Sequence, residues 1–149
     1  MGVLVCLMRW VYIPERKRYL YWAFFLFGIC FNNHQTLIVA AMGIEVAIAA
    51  TNLKLGRDLF MINSIVYILG LLAKWNGMVT SFDENFALFV IYNAVGIASL
   101  GAFAWAWNKT QAVMTEWRPV LILTLAWLVG ASFYFYMPIA SSTNPPMNW

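Results

Sequence analysis

YLYWAFFLFGICFNNHQTLIVAAMGIEVAIAA, residues 19 to 50, is apolar apart from one polar patch, Asn32-Asn33-His34-Gln35-Thr36, and the later Glu45. As a single helix this stretch would measure about 48 Å, against a hydrocarbon core of about 30 Å. The patch therefore divides it into two helices, about Tyr19 to Phe31 and Thr36 to Ala50, each shorter than a full span. They meet at a tight polar turn, as broken helix pairs in membranes do.

The same pattern continues outward in both directions. Toward the N-terminus, Met1 opens directly into an apolar run that reaches about Ile13, with no basic region before it and no small-residue cleavage site after it. A signal peptide is therefore not expected. About 20 Å of helix is also too short to cross a bilayer. Pro14-Glu15-Arg16-Lys17-Arg18 then stops the helix and places three consecutive cations where only water or headgroups suit them. Beyond Ala50, a loop with Lys54, Arg57 and Asp58 precedes an apolar run from Leu59 to Ala73. A polar connection, Lys74-Trp75-Asn76-Gly77 to Asp83-Glu84-Asn85, leads to a span from Phe86 to about Trp107. A basic loop with Lys109, Glu116 and Arg118 precedes the last span, which Pro119 opens and Pro138 closes after Met137.

Composition agrees. Of 149 residues, 63% are hydrophobic and 10% charged, where a soluble domain carries roughly a quarter charged. This excludes a water-soluble globule, a disordered chain and a nucleic-acid partner. The expected fold is all-α: a polytopic integral membrane helix bundle of about five or six segments, with residues 1–149 forming a single transmembrane unit and the bilayer as its partner. Cys6 and Cys30 both lie in apolar runs and there is a single histidine, so neither a disulfide framework nor an all-protein zinc site is expected. No P-loop, GxGxxG, GxSxG or HExxH occurs.

Charge sets the expected orientation. With the Arg16 to Arg18 loop cytoplasmic, alternation puts seven cations inside (Arg16, Lys17, Arg18, Lys54, Arg57, Lys109 and Arg118) and only Lys74 outside. Arg9 lies in the first segment, near enough to its inner end to snorkel. The His34 turn, the Asp83/Glu84 connection and the segment from Asn144 to Trp149 then face the periplasmic or luminal side. Trp10, Tyr19, Trp22, Trp75, Trp105, Trp107 and Trp117 fit interfacial belts.

Three features could carry chemistry. In the recessed turn, His34 and its amide neighbours can hold a charged ligand group, or can simply cap helix ends. Glu45 is the only acid well inside an apolar run, which marks it as functional by default. Its position closer to the basic loop instead favours pairing with Lys54 or Arg57, or headgroup water. Asp83 and Glu84 are adjacent and do not face each other on a helix, so they read as a solvated pair. The small residues from Gly96 to Ala102 fit close helix packing. The terminal Asn144-Pro145-Pro146-Met147-Asn148-Trp149 combines stiff backbone, amides and an indole platform suited to sugars.

Two strings, read together, carry a resemblance: Phe27-Gly28-Ile29-Cys30-Phe31-Asn32-Asn33-His34-Gln35-Thr36-Leu37, and Tyr136-Met137-Pro138-Ile139-Ala140 running into Asn144-Pro145-Pro146-Met147-Asn148-Trp149. The chain resembles a bacterial transmembrane family, first catalogued as a domain of unknown function, that is grouped with protein O-mannosyltransferase-like enzymes of the GT-C glycosyltransferase fold. Asn33, His34 and Thr36 match its Asn-His-x-Thr turn. Asn144, Pro145, Pro146, Asn148 and Trp149 match its Asn-Pro-Pro-x-Asn-Trp segment. The resemblance implies transfer of a mannose-like sugar from a polyprenyl-phosphate donor to a protein acceptor hydroxyl, on the outer face of a bacterial inner membrane. It assigns donor and lipid-phosphate binding to Asn33, His34, Thr36, Asn144, Asn148 and Trp149, and leaves any metal requirement open. The family's catalytic acid lies in a first outer loop that this sequence does not contain, so no residue here takes the catalytic role and the chain reads as an internal fragment. The alternative is a small integral membrane subunit or transporter-like binding module without catalysis.

Overall fold

The computed structural model describes residues 1–31, 38–79, 81–136, 139 and 142. Among these the chain is all-helical, with seven α-helices: α1 (Gly2–Tyr12), α2 (Arg18–Phe31), α3 (Ile38–Thr51), α4 (Leu53–Trp75), α5 (Ser81–Glu84), α6 (Phe86–Thr110) and α7 (Trp117–Ser132). A 3-10 turn, Phe133–Phe135, prolongs α7. Three helical stretches are long and apolar enough to cross a membrane: Leu53–Trp75, Phe86–Thr110 and Trp117–Phe135. α1, α2 and α3 are apolar but shorter, and the polar turn expected between α2 and α3 at residues 32–36 lies outside the described residues.

Two boundaries differ from the sequence expectation. α4 begins at Leu53, so Lys54, Arg57 and Asp58 lie on its first turns and not in a loop. The start is set by Asn52, whose side chain accepts from the Leu55 N–H at 3.1 Å; such a cap satisfies a donor that the helix itself leaves open. The connection before Asn85 also contains α5, a single turn that adds one segment to those expected. Asn85 caps α6 in the same way, accepting from Leu88 N–H at 3.1 Å. Pro119 is the third residue of α7, where its missing N–H removes no intrahelical bond.

By its internal contacts the chain divides into two compact units, Met1–Ile38 with Arg118–Trp149, and Val39–Trp117. In the first, α1 and α2 pack as a helical hairpin. Trp10 is buried there and donates its indole N–H to the Pro14 carbonyl at 3.1 Å, so it belongs to the core and not to an interfacial belt. α2 and α7 cross at glycines. A methyl on Gly28 would strike the Trp127 carbonyl, and one on Gly130 the Phe25 carbonyl. The Phe25 and Phe133 rings meet edge to face beside this crossing.

In the second unit, α4 and α6 pack against each other. Their sense is antiparallel, because Arg57 at the start of α4 reaches Thr110 at the end of α6, while Lys74 at the far end of α4 reaches Asp83 just before α6. Gly96 receives the ring of Tyr67 and Gly70 the phenol of Tyr92, so glycine on each helix admits a tyrosine from the other. Gly101, from the same small-residue run, faces open space. α3 approaches α4 closely where Gly56 lies against Ala49.

Candidate functional site

The residues singled out by the motif pair, Asn33, His34, Thr36, Asn144, Asn148 and Trp149, lie outside the described residues, as do Pro145 and Pro146. Polar chemistry in the described part is concentrated in the second unit, at three levels along α4.

At the start of α4 a buried ion pair is built from neighbours. Arg57 and Asp58 are both fully buried. The Arg57 Nε donates to Asp58 Oδ1 at 2.8 Å, and its two terminal nitrogens donate to the Thr110 and Thr115 hydroxyls at 2.8 and 2.9 Å. Asp58 Oδ2 accepts the backbone N–H groups of Thr115 and Glu116 at 2.9 and 2.6 Å. Burying two charges costs several kcal/mol each unless their hydrogen-bonding capacity is met, and here protein groups meet it on both sides. The loop after α6 is folded back to make this possible. Gln111 adopts the left-handed conformation at φ 50°, its N–H bonded to the Trp107 carbonyl at 2.8 Å, which ends α6 and redirects the chain.

Ten residues after Leu53, about 15 Å from the start of α4, Asn63 meets Glu45 of α3. The Asn63 Nδ2 lies 2.7 Å from each carboxylate oxygen, and Glu45 is 6% exposed. The expected partners Lys54 and Arg57 do not take this role: Arg57 is committed to Asp58, and Glu45 is held by an amide. Ser99 of α6 donates to the Met42 sulfur of α3 at 3.3 Å, one turn from Glu45. Toward the far end of α4, the Tyr67 hydroxyl donates to Asn93 Oδ1 at 2.9 Å, and the Tyr92 hydroxyl to the Val66 and Tyr67 carbonyls at 3.0 Å. These bonds stitch α4 to α6.

The far end carries the third level. Lys74 pairs with Asp83 at 2.6 Å and lies 4.9 Å from the Phe89 ring centroid. Phe82 of α5 packs at a tilt against the rings of Phe89 and Tyr92, so the turn carrying Asp83 and Glu84 rests on an aromatic cluster. Asp83 is exposed and engaged with Lys74, an arrangement that holds the connection in place.

Sequence reasoning missed Asn63 and the Arg57–Asp58 pair. Asn63, Ser64, Asn93 and Ser99 do stand out as polar residues within apolar runs, and polar side chains at membrane depth seek one another. Arg57–Asp58 left no such sign, because adjacent charges before an apolar run look like a loop. Among the described residues no group of three or more His, Cys, Asp or Glu side chains is assembled. No protein-family model matches the sequence, and neither does any curated protein or solved structure.

Proposed function

We propose that the chain forms part of a membrane transferase that moves a mannose-like sugar from a polyprenyl-phosphate donor to a protein hydroxyl on the outer side of a bacterial inner membrane. The observation that carries this reading is the motif pair, Asn33-His34-Gln35-Thr36 and Asn144-Pro145-Pro146-Met147-Asn148-Trp149, in that order. In this reading Asn33, His34 and Thr36 meet the lipid phosphate, where imidazole and amide donors stabilise charge on the leaving group. Asn144, Asn148 and Trp149 offer hydrogen bonds and an apolar platform to the donor. The catalytic base is not among the residues assigned here.

The orientation rests on charge. Antiparallel α4 and α6 support it, because they gather Lys54, Arg57 and Lys109 at one end and leave Lys74 at the other. Cations clustered at one end favour the cytoplasmic side for that end.

The test is transfer of labelled sugar from polyprenyl phosphate to membrane protein by the protein in its full natural reading frame. His34→Ala is expected to lower the rate by about a hundredfold; an unchanged rate overturns the assignment. A second reading, a small membrane subunit or transporter-like binding module, is favoured by the buried Glu45–Asn63 pair, which the transfer reaction does not need. DNA on both sides of the coding segment separates them: an in-frame upstream helix with an acidic outer loop supports the transferase, and closely flanking stop codons support the module.

A further inference from the structure

The α1–α2 hairpin gathers arginines around one phenol. Arg9 from the end of α1 and Arg18 from the start of α2 lie with their guanidinium carbons 5.7 and 5.1 Å from the Tyr19 ring centroid. Arg18 also donates to the Tyr19 hydroxyl at 3.5 Å, and Arg16 interacts with the same hydroxyl. All three arginines are exposed. The ion pairs found among the described residues at Arg57–Asp58 and Lys74–Asp83 involve none of them. The turn that holds them is built, with Trp10 buried beneath it and bonded to Pro14, and with Arg16 N–H donating to the Ile13 carbonyl at 3.0 Å. Three guanidinium groups gathered around one phenol carry like charge, and a bound anion offsets their mutual repulsion.

Next to the arginines, α1 presents an apolar face. Leu4, Val5, Met8 and Tyr12 are each more than half exposed and share one side of the helix. At about 16 Å, α1 is too short to cross a bilayer. An apolar face that ends in arginine matches a lipid whose chains lie along the helix and whose phosphate lies at its end.

We propose that the α1–α2 hairpin binds an anionic phospholipid, its phosphate held by Arg9, Arg16 and Arg18 around Tyr19 and its acyl chains lying along Leu4, Met8 and Tyr12. Guanidinium groups suit this role because they bind phosphate through paired N–H donors. The proposal is independent of the transferase reading.

The test is titration of the purified, detergent-solubilised protein with phosphatidylglycerol or with phosphatidylcholine of the same chains, bound lipid being counted by native mass spectrometry. Wild type is expected to prefer phosphatidylglycerol, and Arg9→Gln with Arg18→Gln to lose about thirtyfold in affinity for it. Lys54→Gln with Lys109→Gln removes the same charge elsewhere and is expected to keep the preference. Should the double arginine variant fail to fold, Arg18→Gln alone is expected to lose about fivefold. No preference in wild type, or equal losses in the arginine and lysine variants, overturns the site. Displacement of the lipid by inorganic phosphate at equal concentration overturns the lipid as its occupant.

Discussion

Asp58 accepts the backbone N–H groups of both Thr115 and Glu116 on one carboxylate oxygen while its other oxygen faces the neighbouring Arg57. One side chain at the start of α4 thereby fastens the loop that follows α6. The two residues of the pair are unequal. Losing Arg57 leaves Asp58 with its two backbone donors, whereas losing Asp58 leaves two amides without an acceptor and a buried guanidinium with only the Thr110 and Thr115 hydroxyls. Asp58→Ala is therefore expected to destabilise by about 3–5 kcal/mol, the range for breaking a buried pair, and Arg57→Met by less. Thermal unfolding in detergent, read by circular dichroism, checks the order; an Arg57→Met variant less stable than Asp58→Ala would contradict this account.

Glycine substitutions should rank by what the new methyl group meets. At Gly130 it meets the Phe25 carbonyl, which is backbone and cannot rotate away. At Gly96 it meets the Tyr67 ring, a side chain that can move at the cost of its bond to Asn93. At Gly101 it meets nothing. Gly96→Ala is expected to cost about 1–3 kcal/mol, Gly130→Ala more, and Gly101→Ala to be neutral or to gain up to about 1 kcal/mol from helix propensity. Melting temperatures of the three single variants supply the comparison.

Glu45 and Asn63 offer a test of what the polar pair requires. Glu45→Gln keeps a group that can hydrogen-bond the Asn63 amide and should hold stability near that of wild type. Glu45→Ala leaves the amide without its partner and should cost about 1–3 kcal/mol. Equal melting temperatures for the Gln and Ala variants would show that the contact contributes nothing.

The exposed Lys74–Asp83 pair should contribute little. Asp83→Asn is expected to change stability by less than about 1 kcal/mol, and the effect should shrink further in high salt. A loss that persists at high salt would point to the Phe82, Phe89 and Tyr92 cluster beneath the turn as the group disturbed.

Orientation can be read by labelling. With Cys6 and Cys30 replaced by serine, single cysteines at Lys74 and Lys109 in whole cells should respond in opposite ways to an impermeant maleimide. The Lys74→Cys position is expected to react from outside and Lys109→Cys only after permeabilisation, as the distribution of cations predicts. The reverse pattern would invert the assigned topology.

Much of the helical layout was legible in the chain because lipid imposes a simple requirement. Backbone groups must be satisfied within each segment, so apolar runs of sufficient length become helices and clustered cations mark their ends. The runs ending at Ala73 and beginning at Phe86 declared α4 and α6 in this way, while the expected break at residues 32–36 lies outside the described residues. The proposed donor-binding residues were legible only as motifs, and they lie outside the described residues. Pairing was not legible at all. Whether Glu45 meets a lysine, an arginine or an amide, whether Arg57 and Asp58 belong to a loop or to a buried helix turn, and whether Trp10 faces lipid or core all depend on which helix faces lie together. Hydropathy along one chain is silent on that. Packing decided it, because charges and amides that cannot reach water take whichever partner the neighbouring helix presents, and only the tertiary structure brings Asn63 to Glu45 and Thr110 to Arg57.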